Sequence, residues 1–228
     1  MLHGYGWALL EGATMTLALA LCALAIALLF GIAGASAALS RSRVARAAAA
    51  TYTTSIRAVP DLVLMLLVFY GGQMLANDIA ERLGREPVDV NPFVAGVATI
   101  GFVFGAYLSE TFRGAFMAVP AGQAEAARAF GFTRWQVFVR IMAPQMLRHA
   151  LPPLANNWLV LLKSTAIVSV IGLTDLMHRA GLAAGATREP FLFYAAAAGV
   201  YLAFTTVSEA AFALLGRRLT VGTRRAQF

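Results

Sequence analysis

The stretch EAARAFGFTRWQVFVRIMAP, residues 125–144, is a polar helix–turn–helix signal lying between hydrophobic spans. Its alanine-rich opening, 125–130, favours a short helix, and Gly131 stands where a glycine just past a helix C-terminus would end it. Thr133 and Gln136 have the spacing of a capping box, which starts a second helix. Val137, Phe138 and Ile141 then recur at helical spacing, and Pro144 is expected to stop the pattern. Two short helices at a fixed angle, outside a membrane core, suit the reception of a partner protein. By spacing alone, an ordinary polar loop fits as well.

Composition bounds the class independently. The 228 residues are 60% hydrophobic and 13% charged with a mean hydropathy of +0.72, too apolar for an ordinary soluble domain. A polytopic membrane protein is the economical reading. The one cysteine, Cys22, lies in an apolar run, so the chain holds no disulfide framework of its own. A net charge of +7 raises the question of nucleic acid, but the placement of the charges answers it otherwise.

Five apolar stretches are long enough to cross a bilayer, which takes roughly 20 helical residues. They fall at about 14–39, 59–80, 92–116, 152–173 and 190–215, with the polar loop at about 120–144, in one transmembrane domain covering 1–228. The first stretch is preceded by Glu11 and by no basic segment, and it is longer than a signal-peptide core, so it reads as a retained helix. Basic residues set the orientation. Arg41, Arg43 and Arg46 follow the first span; Arg113, Arg128, Arg134, Arg140 and Arg148 surround the polar loop; Arg217, Arg218, Arg224 and Arg225 occupy the tail. In the other connections acids match or outnumber bases: Asp78, Glu81, Glu86 and Asp89 against Arg82 and Arg85, Asp175 and Glu189 against Arg179 and Arg188. The expected topology has the N-terminus outside and the C-terminus cytoplasmic, with the polar loop facing the cytoplasm.

There is no G-x-x-x-x-G-K-[ST] phosphate loop, and the only lysine, Lys163, lies inside a span. ATP-driven work therefore requires a separate ATPase subunit, which would use the ATP and Mg; no cofactor and no metal are expected in this chain. Ionisable groups inside spans are costly and are functional candidates by default. They are Asp61 after Pro60, Glu110, Lys163 and Glu209, although Asp61 and Glu209 also fit water-accessible ends and Lys163 also fits a structural ion pair. Tyr107 shares a helix face with Glu110, and Arg113 one turn on can pair with Glu110 or face the cytoplasm. Asn156 and Lys163 share one stripe of the fourth span, Asn157 and Ser164 another, and the amides fit a purely helix-bridging role equally well. Gly101 and Gly105 form a GxxxG spacing that speaks for close helix packing.

Residues 125–144 resemble the EAA loop of ABC-importer permeases, E-A-A, three residues, Gly, nine residues, Ile-x-Leu-Pro. Glu125, Ala126, Ala127, Gly131, Ile141 and Pro144 are in register, and Ala143 replaces the usual leucine. The segments IRAVPDLVLMLLVFYG (56–71), GAYLSETFRGAFMAVPAGQAEAARAFGFTRWQVF (105–138) and NNWLVLLKSTAIVSVIGL (156–173) extend the resemblance to the polar-amino-acid permease family over nearly the whole chain. Within that family the chain is most similar to the Q-type subunits that serve importers of histidine, lysine, arginine and ornithine. The resemblance implies an all-α fold of the type I ABC-importer permease, about five transmembrane helices with a cytoplasmic coupling helix. It also implies residence in the bacterial inner membrane, as a multi-pass subunit. The implied partners are a homologous M-type permease, two ATP-binding subunits and a periplasmic amino-acid-binding protein. The loop, through Glu125, Ala126, Ala127 and Gly131, would seat in the ATPase.

A cationic amino acid calls for a half-buried carboxylate, because pairing and hydrogen bonds must offset the desolvation of both charges. Asp61 and Glu110 supply carboxylates; Tyr107, Asn156, Asn157, Lys163, Ser164 and Thr165 complete the set of candidate pathway residues. Two other classes fit less well. A secondary transporter would show paired internal repeats with broken helices, and none is obvious. An enzyme would show a reactive constellation, whereas His3, His149 and His178 are scattered without metal spacing.

Overall fold

A computed structural model describes residues 2–219; Arg224 and Arg225 of the basic tail lie outside the described residues. The chain is helical, with no strand among the described residues. Its helices are α1 (Gly6–Ala38), α2 (Arg43–Ala58), α3 (Asp61–Arg82), α4 (Pro92–Met117), α5 (Ala121–Ala129), α6 (Arg134–Val137), α7 (Ala143–Ser164), α8 (Leu176–Thr187) and α9 (Pro190–Leu219). A π-helical turn, Phe138–Met142, joins α6 to α7, and a 3-10 segment, Thr165–Ile171, extends α7. Five stretches are long and apolar enough to cross a membrane: Gly6–Ala38, Asp61–Arg82, Pro92–Met117, Arg134–Ile171 and Pro190–Leu219.

The centre is the α1–α4 pair. Lipid is as apolar as leucine, so helices in a membrane associate by close packing, and small residues allow it. Ala20, Ala23 and Ala27 of α1 are fully buried, and Gly101 and Gly105 of α4 meet that face. A β-carbon on Gly101 would come to 2.6 Å from the side chain of Ile26, and one on Gly105 to 2.5 Å from that of Phe30. The hydroxyl of Tyr52 in α2 donates to the Phe102 carbonyl at 2.5 Å and fastens α2 to the same pair. A second cluster packs the start of α1 (Leu9, Ala13) against α8 (Leu176, Ala180) and α9 (Phe193, Ala197). A third, built on Val119, Ala127, Val137 and Met142, holds α5 and α6 together.

Several boundaries differ from the sequence expectation. α1 starts at Gly6 rather than 14, because Glu11 is accommodated by an ion pair to Arg179 of α8 at 2.7 Å. The connection 40–58 contains a full helix, α2, that the spans did not include; Ser42 caps it by accepting from the Ala45 N–H. The connection after the fourth span likewise contains α8. Pro144 does not stop the helix. It falls in the first turn of α7, directly after the π-helical turn, where the missing N–H leaves no ordinary helical bond broken. Pro152 and Pro153 lie inside α7 rather than at a helix start, and the continuous helical stretch that contains the fourth span runs from Arg134 to Ile171.

Candidate functional site

α2 and α3 are two pieces of one path separated by Val59 and Pro60, both with extended backbone. A residue before proline is pushed out of the helical region, and proline then opens a new helix. Asp61 is the first residue of that new helix. It lines a small cavity with Met65 of α3, Thr99, Ile100, Val103 and Phe104 of α4, and Ser164 and Ile167 of the α7 end. Residues 99–104 are middle turns of a 26-residue helix, so the carboxyl stands at membrane depth and not at a water-exposed helix end. The cavity holds about 10 Å³, room for little more than one water. The hydroxyl of Thr99 is buried there without a hydrogen-bond partner.

From this cavity a polar stripe descends one face of α4 at helical spacing: Thr99, Val103, Tyr107, Glu110 and Arg113. The Arg57 guanidinium of α2 lies 5.2 Å from the centre of the Tyr107 ring, a cation–π contact. Glu110 accepts from Arg113 at 2.6 and 3.1 Å, and each side chain is about a third exposed (31% and 37%). The Asn157 amide donates to the Thr111 hydroxyl at 2.9 Å and ties α7 to α4.

The predicted residues therefore separate. Asp61 and Ser164 meet in one cavity, with Tyr107 and Glu110 on the stripe below it. Asn156 is exposed. Lys163 turns to a different groove of about 390 Å³, lined also by Met177, Tyr194 and Tyr201 of α8 and α9. Thr165 is fully buried, with its hydroxyl donating to the Leu162 carbonyl at 2.6 Å and lying 3.4 Å from that of Tyr201. Sequence reading missed Thr99 and Arg57. Stepping the Tyr107–Glu110 stripe back two turns along α4 would have found Thr99; nothing local marks Arg57.

The polar loop has the local geometry its residues dictate. α5 ends at Ala129, and Gly131 adopts φ +82°. Thr133 and Gln136 exchange both bonds of a capping box: the Gln136 N–H donates to the Thr133 hydroxyl at 3.3 Å, the Thr133 N–H to the Gln136 amide oxygen at 2.9 Å. Glu125 and Ala126 are exposed and Ala127 is buried. Phe130 and Trp135 stand out from the loop, 85% and 72% exposed.

The family model described as "Binding-protein-dependent transport system inner membrane component" matches residues 27–221. The "Histidine/lysine/arginine/ornithine transport system permease protein HisQ" of Escherichia coli K12 is 52% identical over 226 residues, covering 99% of both chains. The "Octopine transport system permease protein OccQ" of Rhizobium radiobacter is 41% identical over 223 residues, covering 97% of this chain and 94% of that protein. Among solved structures, one titled "Crystal structure of an amino acid ABC transporter with histidines" superposes with a TM-score of 0.80 at 32% identity, covering 94% of this chain and 95% of that one.

Proposed function

From the premise that this chain belongs to the family of binding-protein-dependent transport system inner membrane components, we propose that it forms half of the path by which an importer carries histidine, lysine, arginine and ornithine inward. It is a permease subunit of an amino-acid ABC importer with the type I permease fold, a multi-pass inner-membrane protein, and not an enzyme; the ATPase is a separate subunit. The second half of the path is a homologous M-type permease. Two ATP-binding subunits hydrolyse ATP with Mg, and a periplasmic protein delivers the amino acid. The N-terminus lies outside and the C-terminus in the cytoplasm, as the arginine bias argues.

The observation that carries the substrate reading is Asp61. A carboxylate at a helix break in mid-bundle, with the Ser164 hydroxyl and the unpartnered Thr99 hydroxyl around it, is an acceptor set waiting for a cationic donor. Tyr107 and Glu110 mark the route beneath it, with Asn157 bridging the two helices that wall it; Asn156, Lys163 and Thr165 belong to the walls rather than to the cage. The cavity is too small for an amino acid, so the cage is completed by movement of α3 or by the second permease. Glu125, Ala126, Ala127 and Gly131 seat α5 and α6 on the ATPase.

The test is reconstitution. The chain with its M-type partner, ATPase and binding protein in proteoliposomes should take up arginine, lysine and histidine, and ATP hydrolysis should rise with loaded binding protein. Substrate-dependent uptake by this permease alone, with no second permease, would refute the heterodimer. Equal uptake of neutral and cationic amino acids would refute the substrate class.

A further inference from the structure

We propose that Arg57 receives the α-carboxylate of the transported amino acid, opposite the Asp61 carboxylate that receives its cationic side chain. Arg57 lies in the last turn of α2 and Asp61 opens α3, two charges of opposite sign on either side of the Val59–Pro60 break. Near as they are in the chain, they form no ion pair with each other or with any other described residue. The Arg57 guanidinium makes no hydrogen bond among the described residues either; it is held by the Tyr107 ring, 5.2 Å from its centre. A cation–π contact engages the charge without using an N–H, so the forked donors of the guanidinium stay free for a carboxylate, whose two oxygens they match.

Position ties this free cation to the route. Tyr107 lies one turn beyond Val103, which lines the Asp61 cavity, and further turns of α4 follow on either side. Arg57 thus stands beside the stripe at membrane depth, exposed on the surface of this chain. A charge there is costly against lipid and is kept where a counter-charge or a water-filled path meets it. Glu110, next along the stripe, is already taken by Arg113. Lys163, the other cation within a span, faces the separate groove with Tyr194 and Tyr201. An amino acid with a cationic side chain brings both missing partners, and pairing at its two ends offsets the desolvation of all four charges. The inference rests on the reading of the line from Asp61 to Tyr107 as the route, and adds the subsite for the group that all amino acids share.

The experiment is equilibrium binding of radiolabelled arginine to the purified complex of both permeases and the ATPase, without the binding protein, in competition with unlabelled arginine or argininamide. Argininamide keeps both cationic groups and replaces the carboxylate by a neutral amide. The unaltered complex should prefer arginine by about tenfold or more, the loss expected when one member of a desolvated charge pair is removed. In Arg57→Gln the affinity for arginine should fall by that factor, argininamide should bind as before, and the preference should vanish. Arg57→Lys, which keeps the charge but not the fork, should retain part of the preference. A preference unchanged in Arg57→Gln would overturn the proposal. So would equal weakening of both ligands in Arg57→Gln and Arg57→Lys, the mark of a merely structural residue. Loss of the preference in Lys163→Gln but not in Arg57→Gln would place the carboxylate in the other groove and overturn it equally. Asp61→Asn tests the route separately: undiminished arginine affinity there would refute the path itself, whereas a lowered affinity together with an unchanged preference in Arg57→Gln would refute only the role of Arg57.

Discussion

The Glu110 carboxylate accepts two hydrogen bonds from the Arg113 guanidinium, at 2.6 and 3.1 Å, so of the two acids in the candidate path one already has a cation and the other does not. Asp61 has no basic group among the side chains lining its cavity. Substituting each acid should separate their roles. Asp61→Asn keeps size and removes charge; losing one member of a buried charge pair costs about 2–5 kcal/mol. Arginine and lysine uptake should fall by at least tenfold, and histidine uptake, whose side chain is mostly neutral at neutral pH, should fall less. Glu110→Gln breaks a partly exposed pair worth at most about 1 kcal/mol, and its effect should be equal for all three substrates. Initial uptake rates in proteoliposomes check both. Unchanged arginine uptake in Asp61→Asn would remove Asp61 from the path.

Gly131 has a left-handed backbone that a β-branched side chain strains by about 1–3 kcal/mol. Gly131→Val should insert normally yet co-purify poorly with the ATPase, because α6 is mis-aimed while its cap and cluster remain intact. Glu125→Lys, at an exposed site, should weaken association without changing thermal stability. Full uptake by both variants would exclude the loop from coupling.

The α1–α4 seam should tolerate nothing larger than hydrogen at Gly101. In Gly101→Leu the first added carbon already meets Ile26 at 2.6 Å, and overpacking of this kind costs about 1–3 kcal/mol. A lowered melting temperature in detergent is the expected readout. Gly114→Ala, where nothing lies within 4 Å of the new carbon, is the matched control and should melt as the unaltered chain does.

Asp175 caps α8 through one carboxylate oxygen, accepting from the His178 N–H at 2.9 Å, and its other oxygen is buried without a partner. Burial pushes this carboxyl up to about 6, with the His178 N–H and charge opposing the shift. A raised folded value means that the folded chain holds the proton more tightly than the unfolded chain. Stability from this group is therefore fully present below about 4 and is lost as pH rises to about 6. The change amounts to roughly 2–3 kcal/mol. Asp175→Asn, which retains a capping oxygen, should flatten that part of the melting-temperature profile. A slope unchanged by the substitution would place the titrating group elsewhere.

Topology is open to cysteine labelling in a Cys22→Ser background. An impermeant reagent should reach a cysteine placed at Glu86 from outside and miss one placed at Thr133. The reverse pattern would invert the orientation.

How much was legible in the sequence depends on what kind of signal each element leaves. The apolar spans, the Gly131 stop and the Thr133–Gln136 cap are written locally, because each follows from a few adjacent residues. α2 was missed because Arg43, Arg46, Thr51, Thr53, Thr54 and Arg57 dilute its hydropathy to that of a loop, although it packs on α1 and α4 as firmly as a span. Pro144 misled because a proline breaks a helix only if its absent N–H was required, and the neighbouring π-helical turn removes that requirement. At the candidate site, Asp61 and Ser164 were visible as polar residues in apolar runs, but their meeting was not. Thr99 and Arg57 acquire meaning only from neighbours on other helices.

The interruption at Val59 and Pro60 has a mechanical side. Among the described residues no backbone hydrogen bond runs from α2 to α3; the first bonds of α3, from the N–H groups of Val63 and Leu64, close on Pro60 itself. A change of angle between α2 and α3 at this pair would therefore break no helical hydrogen bond. Asp61 stands next to this joint, as the first residue of α3, and Thr99 of α4 lines the same cavity. A change of angle there would move the far end of α3 most and Asp61 least, so the joint would hold the acid near the Thr99 hydroxyl while the rest of the helix moved.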